Sequence, residues 1–495
     1  MKNVVQLATI IALSMVISSS AVTKKTFDFI VGVNGDFKAA MSAAAKSASS
    51  PNRFVIFFPN GQYNIGTLTG NDNQMTTFPT AYVSFIGQNK DSVVIYNKSA
   101  SEGISITATL YFKGANSLYM QDLTVQNKGT SGTSANRHVV ICEQSSNVVY
   151  KNVKLLGTQD TYYSKGTKTY WENGEIHGTT DFICGRGDVF FNKCLIWSDK
   201  VAPITAPDGS GDYGYVFSDC TINGSVSGFT LGRAWKDKAK CVYLNTKMIK
   251  EPAATGWGNP INEVSTMLLA EYNSLNSSGG KIDLSQRKGT FVYSKNGVTI
   301  TATSSKSILS EADASRYTMD NIFGSWKPSS LTTQIAAPVA RQDGSKLTWD
   351  DNTNALCWVV FKDGKYFKCV TSPVVEIANG TGSYVVRAAN AMGGLGAGSN
   401  TVSVTTTSVK KLDITKKQHS WYNPQQMSFH VFAPLSEQLD IAVFSANGKQ
   451  IISKQFNVQS EHGSATLSLK NLHKGNYFIK SSIDGVMKTD CVTVY

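Results

Sequence analysis

The sequence predicts an all-β chain, a right-handed parallel β-helix followed by two small β-sandwich domains, and a repeat is the main reason. Short segments open on an aromatic or large apolar residue and close on an apolar residue five places later. The opening residues are Met120, Tyr150, Trp171, Phe191, Phe217 and Tyr243. The closing residues are Val125, Leu155, Ile176, Ile196, Ile222 and Met248. A period of 20 to 30 residues, rich in aromatic and β-branched side chains, is typical of a β-solenoid.

The spacing between the segments supports the same fold. Glycine and asparagine are frequent there, and the segments are too short for the helices of a helical repeat. Neighbouring turns of a parallel β-helix lie about 4.8 Å apart, so residues of equal phase form a row. We expect the coil to run from about Lys25 to about Trp326. An amphipathic stretch at 37–48 predicts a helix that covers its N-terminal strand edge.

The character of the chain changes near Pro338. Strand-like segments at 346–349, 357–361 and 384–390 indicate a small sandwich, and the Ser/Thr-rich stretch 401–408 indicates a linker. Beyond it, short strands recur, with a hairpin turn at Asn447–Gly448. The predicted regions are a signal peptide (1–21), the β-helix (22–333), the first sandwich with its linker (334–408) and the C-terminal sandwich (409–495).

The composition indicates an exported protein with an acidic partner. Residues 1–21 contain Lys2, an apolar run and a small-residue end, which is the pattern of a secretory signal, and we see no membrane span. The net charge of +12 suits an acidic polymer such as a polyuronate. We expect a monomer that is secreted or held at the cell surface, after passage through the periplasm, and that binds no nucleic acid.

The eight cysteines form neither a dense disulfide framework nor a metal pattern, since no C-x-x-C occurs. We therefore predict no metal and no cofactor. Cys194 and Cys220 each follow a repeat aromatic by three residues, so they stack on adjacent turns. A disulfide and two buried free thiols are both compatible with that placement.

Two aspartates give the clearest functional signal. Asp160 lies 11 residues before Trp171, and Asp181 lies 10 residues before Phe191. Arg233 lies 10 residues before Tyr243, at nearly the same phase. Aspartate is also common in solenoid turns for local backbone reasons. The shared phase with an arginine nevertheless favours a carboxylate pair with a guanidinium beside it, which is a hydrolase type of site.

Three ordered motifs carry a resemblance to a known family. The stretches 157–163 (GTQDTYY), 181–185 (DFICG) and 231–235 (LGRAW) resemble signature motifs of the pectin methylesterases, or pectinesterases. The resemblance covers roughly residues 28–326. The first sandwich resembles a fibronectin type III module. The C-terminal segment resembles the sorting domain of the type IX secretion route.

The resemblance implies hydrolysis of galacturonate methyl esters in pectin, with release of methanol. Asp181 matches the nucleophile, and Asp160 matches the acid that protonates the leaving methanol and then activates water. Arg233 is expected to keep Asp181 ionised, and Gln159 to donate to the carbonyl oxygen as it gains charge. Trp235 and Tyr163 match positions that contact sugar rings, and Phe182 is expected to contribute.

Several positions depart from the family pattern. Arg137 stands where the family carries a second glutamine donor, so we expect it to contact substrate with a different charge and reach. Pro207 replaces a glutamine, and Cys184 replaces an aromatic residue of the sugar groove. Two other functions stay open at this point. One is a polyuronate lyase on the same fold, and the other is a non-catalytic pectin-binding surface protein. A serine esterase is disfavoured because no G-x-S-x-G occurs.

Overall fold

The computed structural model describes residues 22–66, 75–129, 136–377, 380–405, 419–432, 438–457, 464–483 and 486–495. The predicted signal peptide, 1–21, lies outside the described residues. The chain divides into two compact units, one ending at Val404 and the other beginning at Thr405. In the described ranges no helix is long and apolar enough to cross a membrane.

The first unit contains a right-handed parallel β-helix, and each turn passes through three sheets in the order 1, 2, 3. Sheet 1 contains Phe29–Ile30, Phe54–Phe58, Val83–Gly87, Tyr119–Gln121, Val148–Lys151, Lys168–Glu172, Asp188–Asn192, Tyr215–Ser218, Ala239–Leu244, Thr266–Tyr272, Val298–Ser304 and Thr290–Lys295. Sheet 2 contains Gly61–Asn64, Val93–Asn97, Thr124–Asn127, Lys154–Leu156, Glu175–Gly178, Leu195–Ser198, Thr221–Gly224, Lys247–Met248 and Leu275–Asn276. Sheet 3 contains Thr76–Phe78, Leu110–Lys113, Ile141–Gln144, Tyr162–Ser164, Ile183–Gly185, Pro203–Pro207 and Thr230–Gly232.

The strand register confirms the sequence repeat at every predicted position. The six opening residues pair in one row of sheet 1. The six closing residues pair in one row of sheet 2. Both rows point inward and are buried, and the rings of Phe191, Phe217 and Tyr243 stack with centroids 4.4 Å apart between neighbours. Stacked rings are favourable because each aromatic buries a large area against the next.

The polar residue inside each repeat has a backbone role. The chain bends between sheets 1 and 2 through a single residue in the left-handed region, at φ between 49° and 58°. These corner residues are Asp122, Asn152, Asn173, Lys193, Asp219, Asn245 and Asn273. Asparagine and aspartate tolerate this conformation better than other residues with a Cβ. The small polar step of the repeat therefore marks a corner of the coil.

Both ends of the coil are covered. The helix Phe37–Ser47 closes the N-terminal end, as predicted, and buries Phe37, Ala40 and Ala44. The Asp36 side chain caps it by accepting a hydrogen bond from the Ala39 N–H at 2.8 Å. At the other end, strands 290–295 and 298–304 form an antiparallel hairpin. The short helices Glu311–Ala314, Met319–Phe323 and Pro328–Leu331 follow.

The first sandwich packs onto the outer face of sheet 1. One of its sheets contains Arg341–Asp343, Lys346–Thr348 and Val374–Glu376, and the other contains Lys365–Val370, Cys357–Lys362, Gly382–Ala389, Leu395–Gly398 and Val402–Val404. In strand 357–362, Trp358 and Val360 enter the sandwich core. Cys357, Val359 and Phe361 pack against the β-helix. Since strand side chains alternate between faces, the continuous apolar run of this strand is explained by burial on both sides.

The predicted linker at 401–408 is only partly a linker. Val402–Val404 forms a strand that pairs with Gly382–Ala389. Its two valines pack against the core of the first sandwich, which explains why this part of the stretch is ordered as a strand. Residues 406–418 lie outside the described part of the chain. All eight cysteines are free thiols in the structure, including the stacked pair Cys194 and Cys220.

The second unit is a small antiparallel sandwich. One sheet contains His419–Asn423, Ser428–Phe432 and Ser464–Ser468, and the other contains Gln450–Asn457, Gln438–Ser445, Gly475–Ile483 and Val486–Val494. Its core includes Phe429, Leu439 and Ile479. The predicted turn at Asn447–Gly448 is confirmed, with Gly448 at φ 82° between two antiparallel strands.

Candidate active site

The two aspartates occupy equivalent turns on neighbouring rungs of the β-helix. Each lies two residues before a strand of sheet 3, and Tyr162 pairs with Ile183, so Asp160 and Asp181 are in register. Neighbouring rungs are about 4.8 Å apart. Both aspartates adopt the left-handed conformation, at φ 60° and 48°, and both are about 95% buried. The turn therefore supplies local backbone geometry and a carboxylate pair at once.

The aspartates open into a cavity of about 220 Å³, which we call the aspartate pocket. Six of the eight residues predicted from sequence line it, namely Arg137, Gln159, Asp160, Asp181, Arg233 and Trp235. The other lining residues are Ile104, Cys184, Ala206 and Ile261. The fold thus collects residues from seven separated segments into one polar cleft with apolar walls.

Arg233 forms a two-pronged ion pair with Asp181. Its Nε donates to Oδ1 at 2.9 Å and its Nη2 to Oδ2 at 2.5 Å. The prediction that Arg233 shares the phase of the aspartates was wrong by three residues. Pro203 pairs with Thr230, and the Asp181 N–H donates to Pro203 O, so Arg233 lies three positions further along its rung. Phase counted from the aromatics fails here because the turns between the sheets differ in length, and the long arginine side chain spans the offset.

The two carboxyl groups differ in their electrostatic surroundings. Burial raises the pKa of Asp160 to about 7, and the charge of Asp181 adds to the rise, against the opposing effect of Arg137. Burial also raises the pKa of Asp181, but the hydrogen bonds and charge of Arg233 counteract it. A carboxylate with a bidentate arginine favours its ionised form. Near neutral pH the pair therefore tends to hold one proton, on Asp160.

Arg137 is held by a residue that the sequence did not single out. Glu102 accepts from the Arg137 backbone N–H at 3.0 Å, from Nε at 3.3 Å and from Nη2 at 2.6 Å. Arg137 also forms a parallel bridge with Gln159, which places the two candidate donors side by side. Glu102 is a lone acidic residue in an irregular stretch, so no spacing or motif marks it. Nor do Ile104 and Ile261 stand out, because a single isoleucine in an irregular stretch belongs to no spacing or motif.

The aromatic residues divide into two groups. Tyr163 and Trp235 are partly exposed, and their ring centroids lie 6.0 Å apart beside the aspartate pocket. Phe182 is fully buried in the interior of the coil. Its predicted contact with substrate is therefore wrong, because the chain turns the side chain after Asp181 inward. Adjacency in sequence to a candidate catalytic residue did not indicate exposure.

Comparison with known proteins supplies the family. The family model described as pectinesterase matches residues 30–323, which is more than half of the chain. This chain belongs to the pectinesterase family. Pectinesterase 1 of Olea europaea is 30% identical over 259 residues, covering 49% of this chain and 67% of the relative. Pectinesterase A of Emericella nidulans is 26% identical over 274 residues, covering 52% and 80%.

Two further matches concern the fold and the C-terminal unit of this pectinesterase. The solved structure of pectin methylesterase from carrot is similar with a TM-score of 0.51 at 21% identity, covering 64% of this chain and 98% of that one. That likeness supports the β-helix. A model described as a secretion system C-terminal sorting domain matches residues 421–492. The predicted sorting-type resemblance of the C-terminal segment is thereby confirmed.

Proposed function

We propose that this pectinesterase removes methyl esters from galacturonate units of pectin, with Asp181 as nucleophile and Asp160 as the acid and base. The observation that carries the assignment is the asymmetry of the carboxylate pair. Arg233 engages both oxygens of Asp181, whereas the pKa of Asp160 is about 7. One carboxylate is thus prepared to attack and the other to carry a proton.

The first half of the reaction transfers the acyl group to Asp181. An ionised Asp181 oxygen bonds to the ester carbonyl carbon, and the carbonyl electron pair moves to its oxygen. When that pair returns, the bond to the methoxy group breaks and protonated Asp160 donates its proton to the leaving oxygen. Methanol departs and an anhydride joins the galacturonate to Asp181.

The second half regenerates the enzyme. Asp160, now ionised, takes a proton from water while the water oxygen attacks the galacturonate carbonyl of the anhydride. The bond to the Asp181 oxygen breaks, which frees the aspartate and leaves a galacturonic acid unit on the polymer. Each proton that Asp160 gives in the first half is recovered in the second.

Gln159 and Arg137 are proposed as the donors to the developing oxyanion. Both line the aspartate pocket, and they lie side by side on adjacent rungs. Glu102 accepts from Nε and Nη2 of Arg137, which fixes the guanidinium and leaves the Nη1 N–H groups and the second N–H of Nη2 as donors for substrate. Donors held in place before the reaction stabilise charge that develops in the transition state. Tyr163 and Trp235 are proposed to hold the neighbouring sugar rings.

The C-terminal sorting domain indicates secretion or sorting to the cell surface. We propose that the chain is exported through the periplasm and acts outside the cell as a monomer. This location suits the substrate, because pectin is a polymer that must be met outside the cell.

Methanol release from highly methyl-esterified pectin, in buffer with a chelator, tests the proposal. We expect the protein to release methanol and Asp181→Asn to lower the rate by about 10³-fold or more. Asp219→Asn is a matched control, since Asp219 is an exposed aspartate at a left-handed corner of the same coil. Unsaturated product, or binding of pectin with no methanol from the unmodified chain, would refute the proposal in favour of a lyase or a binding protein.

A further inference from the structure

The cations around the aspartate pocket fall into two classes. Arg233 pairs with Asp181, Arg137 pairs with Glu102, and Arg186 lies 3.3 Å from Asp208. Lys165 and Lys236 have no carboxylate partner among the residues that the structure describes, and Lys236 lies on the exposed side of Trp235, 5.8 Å from its ring centroid. The arginines are therefore largely neutralised within the protein, while Lys165 keeps a positive charge available to a ligand.

Lys165 lies over a row of outward-facing side chains that we call the groove floor. Tyr111, Cys142, Tyr163, Cys184 and Ala206 are in register on successive rungs of sheet 3. Their strand neighbours, such as Leu110, Phe112 and Ile183, point into the core. The groove floor is therefore the outer surface of sheet 3, and Cys184 and Ala206 also line the aspartate pocket.

The ammonium group of Lys165 sits between two tyrosines of this floor. Its Nζ lies 5.5 Å from the Tyr163 ring centroid and 5.9 Å from the Tyr111 ring centroid. Tyr163 in turn faces Trp235, a wall of the aspartate pocket, at 6.0 Å between centroids. The two aromatic faces attract the cation and hold it over the groove floor, but they carry no negative charge that would neutralise it. The groove floor is thus one continuous surface from Lys165 to the aspartate pocket, where the ester is proposed to react.

We propose that Lys165 binds the free carboxylate of a uronate unit flanking the methyl ester that is hydrolysed. The inference rests on the proposed function and narrows its substrate class to partly de-esterified pectin. A uronate carboxylate offers an ammonium ion a charge-assisted hydrogen bond, whereas a neutral methyl ester offers only weak acceptors. The tyrosines on either side provide apolar faces for the sugar ring that carries the carboxylate.

Kinetics on two substrates test this assignment. The substrates are highly methyl-esterified pectin and the same pectin randomly de-esterified with mild alkali. Lys165→Met keeps an unbranched side chain and removes the charge. We expect it to raise KM for the de-esterified substrate about fivefold. The kcat on both substrates, and KM for the highly esterified substrate, should stay nearly unchanged. Lys165→Arg should restore KM, and high salt should remove the difference between the unmodified chain and Lys165→Met.

The control is Lys46→Met, an equal loss of charge on the exposed side of the N-terminal capping helix. Equal KM changes on both substrates would overturn the proposal, because they would mean that Lys165 only supports Tyr111 and Tyr163. An unchanged KM on both would overturn it as well.

A second measurement separates this inference from the proposed function. Calorimetric binding of fully de-esterified polygalacturonate needs no catalysis. We expect Lys165→Met to weaken it and Lys46→Met to leave it unchanged. If the unmodified chain releases no methanol from either pectin, the proposed function fails, yet this binding difference still decides whether Lys165 recognises a carboxylate. Equal binding by the unmodified chain and Lys165→Met would overturn the assignment.

Discussion

Two ion pairs of the β-helix use the same chemistry in opposite surroundings. Arg287 donates Nε to Glu271 Oε1 at 2.5 Å and Nη2 to Oε2 at 3.3 Å, much as Arg233 engages Asp181. The Glu271 pair is sealed, with side-chain exposures of 2% and 0%. Its remaining polar groups are satisfied, since Ser274 donates to Glu271 and Arg287 Nη1 donates to Ala254 O. The Asp181 pair instead borders a cavity and a second carboxylate.

The two ion pairs differ in how accessible their carboxylates are to a ligand. A buried ion pair whose every lone pair is satisfied cannot exchange its partners without a large cost. The Asp181 pair borders the aspartate pocket, and Asp160, whose pKa burial raises to about 7, lies beside it. Bidentate hydrogen bonding alone therefore does not indicate a functional ion pair. Access of a ligand to the carboxylate is the feature that does.

The largest expected effect comes from breaking the sealed pair. Arg287→Met leaves Glu271 without its cation in the interior, so we expect a loss of about 3–5 kcal/mol in the free energy of unfolding of the first unit. Urea unfolding followed by tryptophan fluorescence measures this loss. The double change Arg287→Met with Glu271→Leu should recover most of it, because the unpaired buried charge is then absent. A stable single variant would mean that the pair does not hold the coil together.

Breaking the open pair should change activity rather than stability. Arg233→Met removes the cation that counteracts the raised pKa of Asp181. Asp181 should then keep its proton to higher pH and lose the contact that orients it, so we expect methanol release near neutral pH to fall by about tenfold or more. The rate should recover in part at higher pH, where Asp181 ionises. The urea midpoint should stay close to that of the unmodified chain, and a large fall would place Arg233 with the structural pairs.

A third buried carboxylate, that of Glu143, has no cationic partner among the described residues. Glu143 is fully buried, accepts from Tyr162 Oη at 2.8 Å and from Thr169 Oγ1 at 2.6 Å, and burial raises its pKa to about 7. Because the folded pKa exceeds the ordinary value of 4.5, its contribution to stability is full below pH 4.5 and is lost as pH rises through 7. The free energy of unfolding of the unmodified chain should therefore fall between about pH 5 and 8. In Glu143→Gln this fall should be smaller by about 2–3 kcal/mol. The measurement is urea unfolding of both proteins across that range, and parallel pH curves would contradict the prediction.

The smallest expected effect concerns the proton on Asp160. Since its pKa is about 7 and protonated Asp160 is the proposed acid, kcat should fall as pH rises above 7. Arg137 lowers this pKa, so Arg137→Gln should move the alkaline limb of the kcat profile to higher pH by a fraction of a unit. Asp219→Asn serves again as the control whose profile should not move. A shift to lower pH would contradict the assigned role of Arg137.

Much of this protein follows from local sequence rules. The rows of the coil were predicted residue by residue because inward positions need apolar or aromatic side chains and corners need residues that tolerate positive φ. Asp160 and Asp181 were found for the same reason, since a turn repeats once per rung. The predicted capping helix and the turn at Asn447–Gly448 likewise depend on short-range patterns.

Other features depend on turn lengths and on contacts between distant segments, which a periodic pattern does not contain. This group includes the offset of Arg233, the inward side chain of Phe182 and the hydrogen bonds between Glu102 and Arg137. It also includes the two buried faces of strand 357–362, which join the first sandwich to the coil. The residue types that recur at each phase of the β-helix follow from the amino-acid sequence alone. Which polar side chains meet, and which of them stay open to a ligand, follows only from the folded chain, because both depend on packing across segments far apart in the chain.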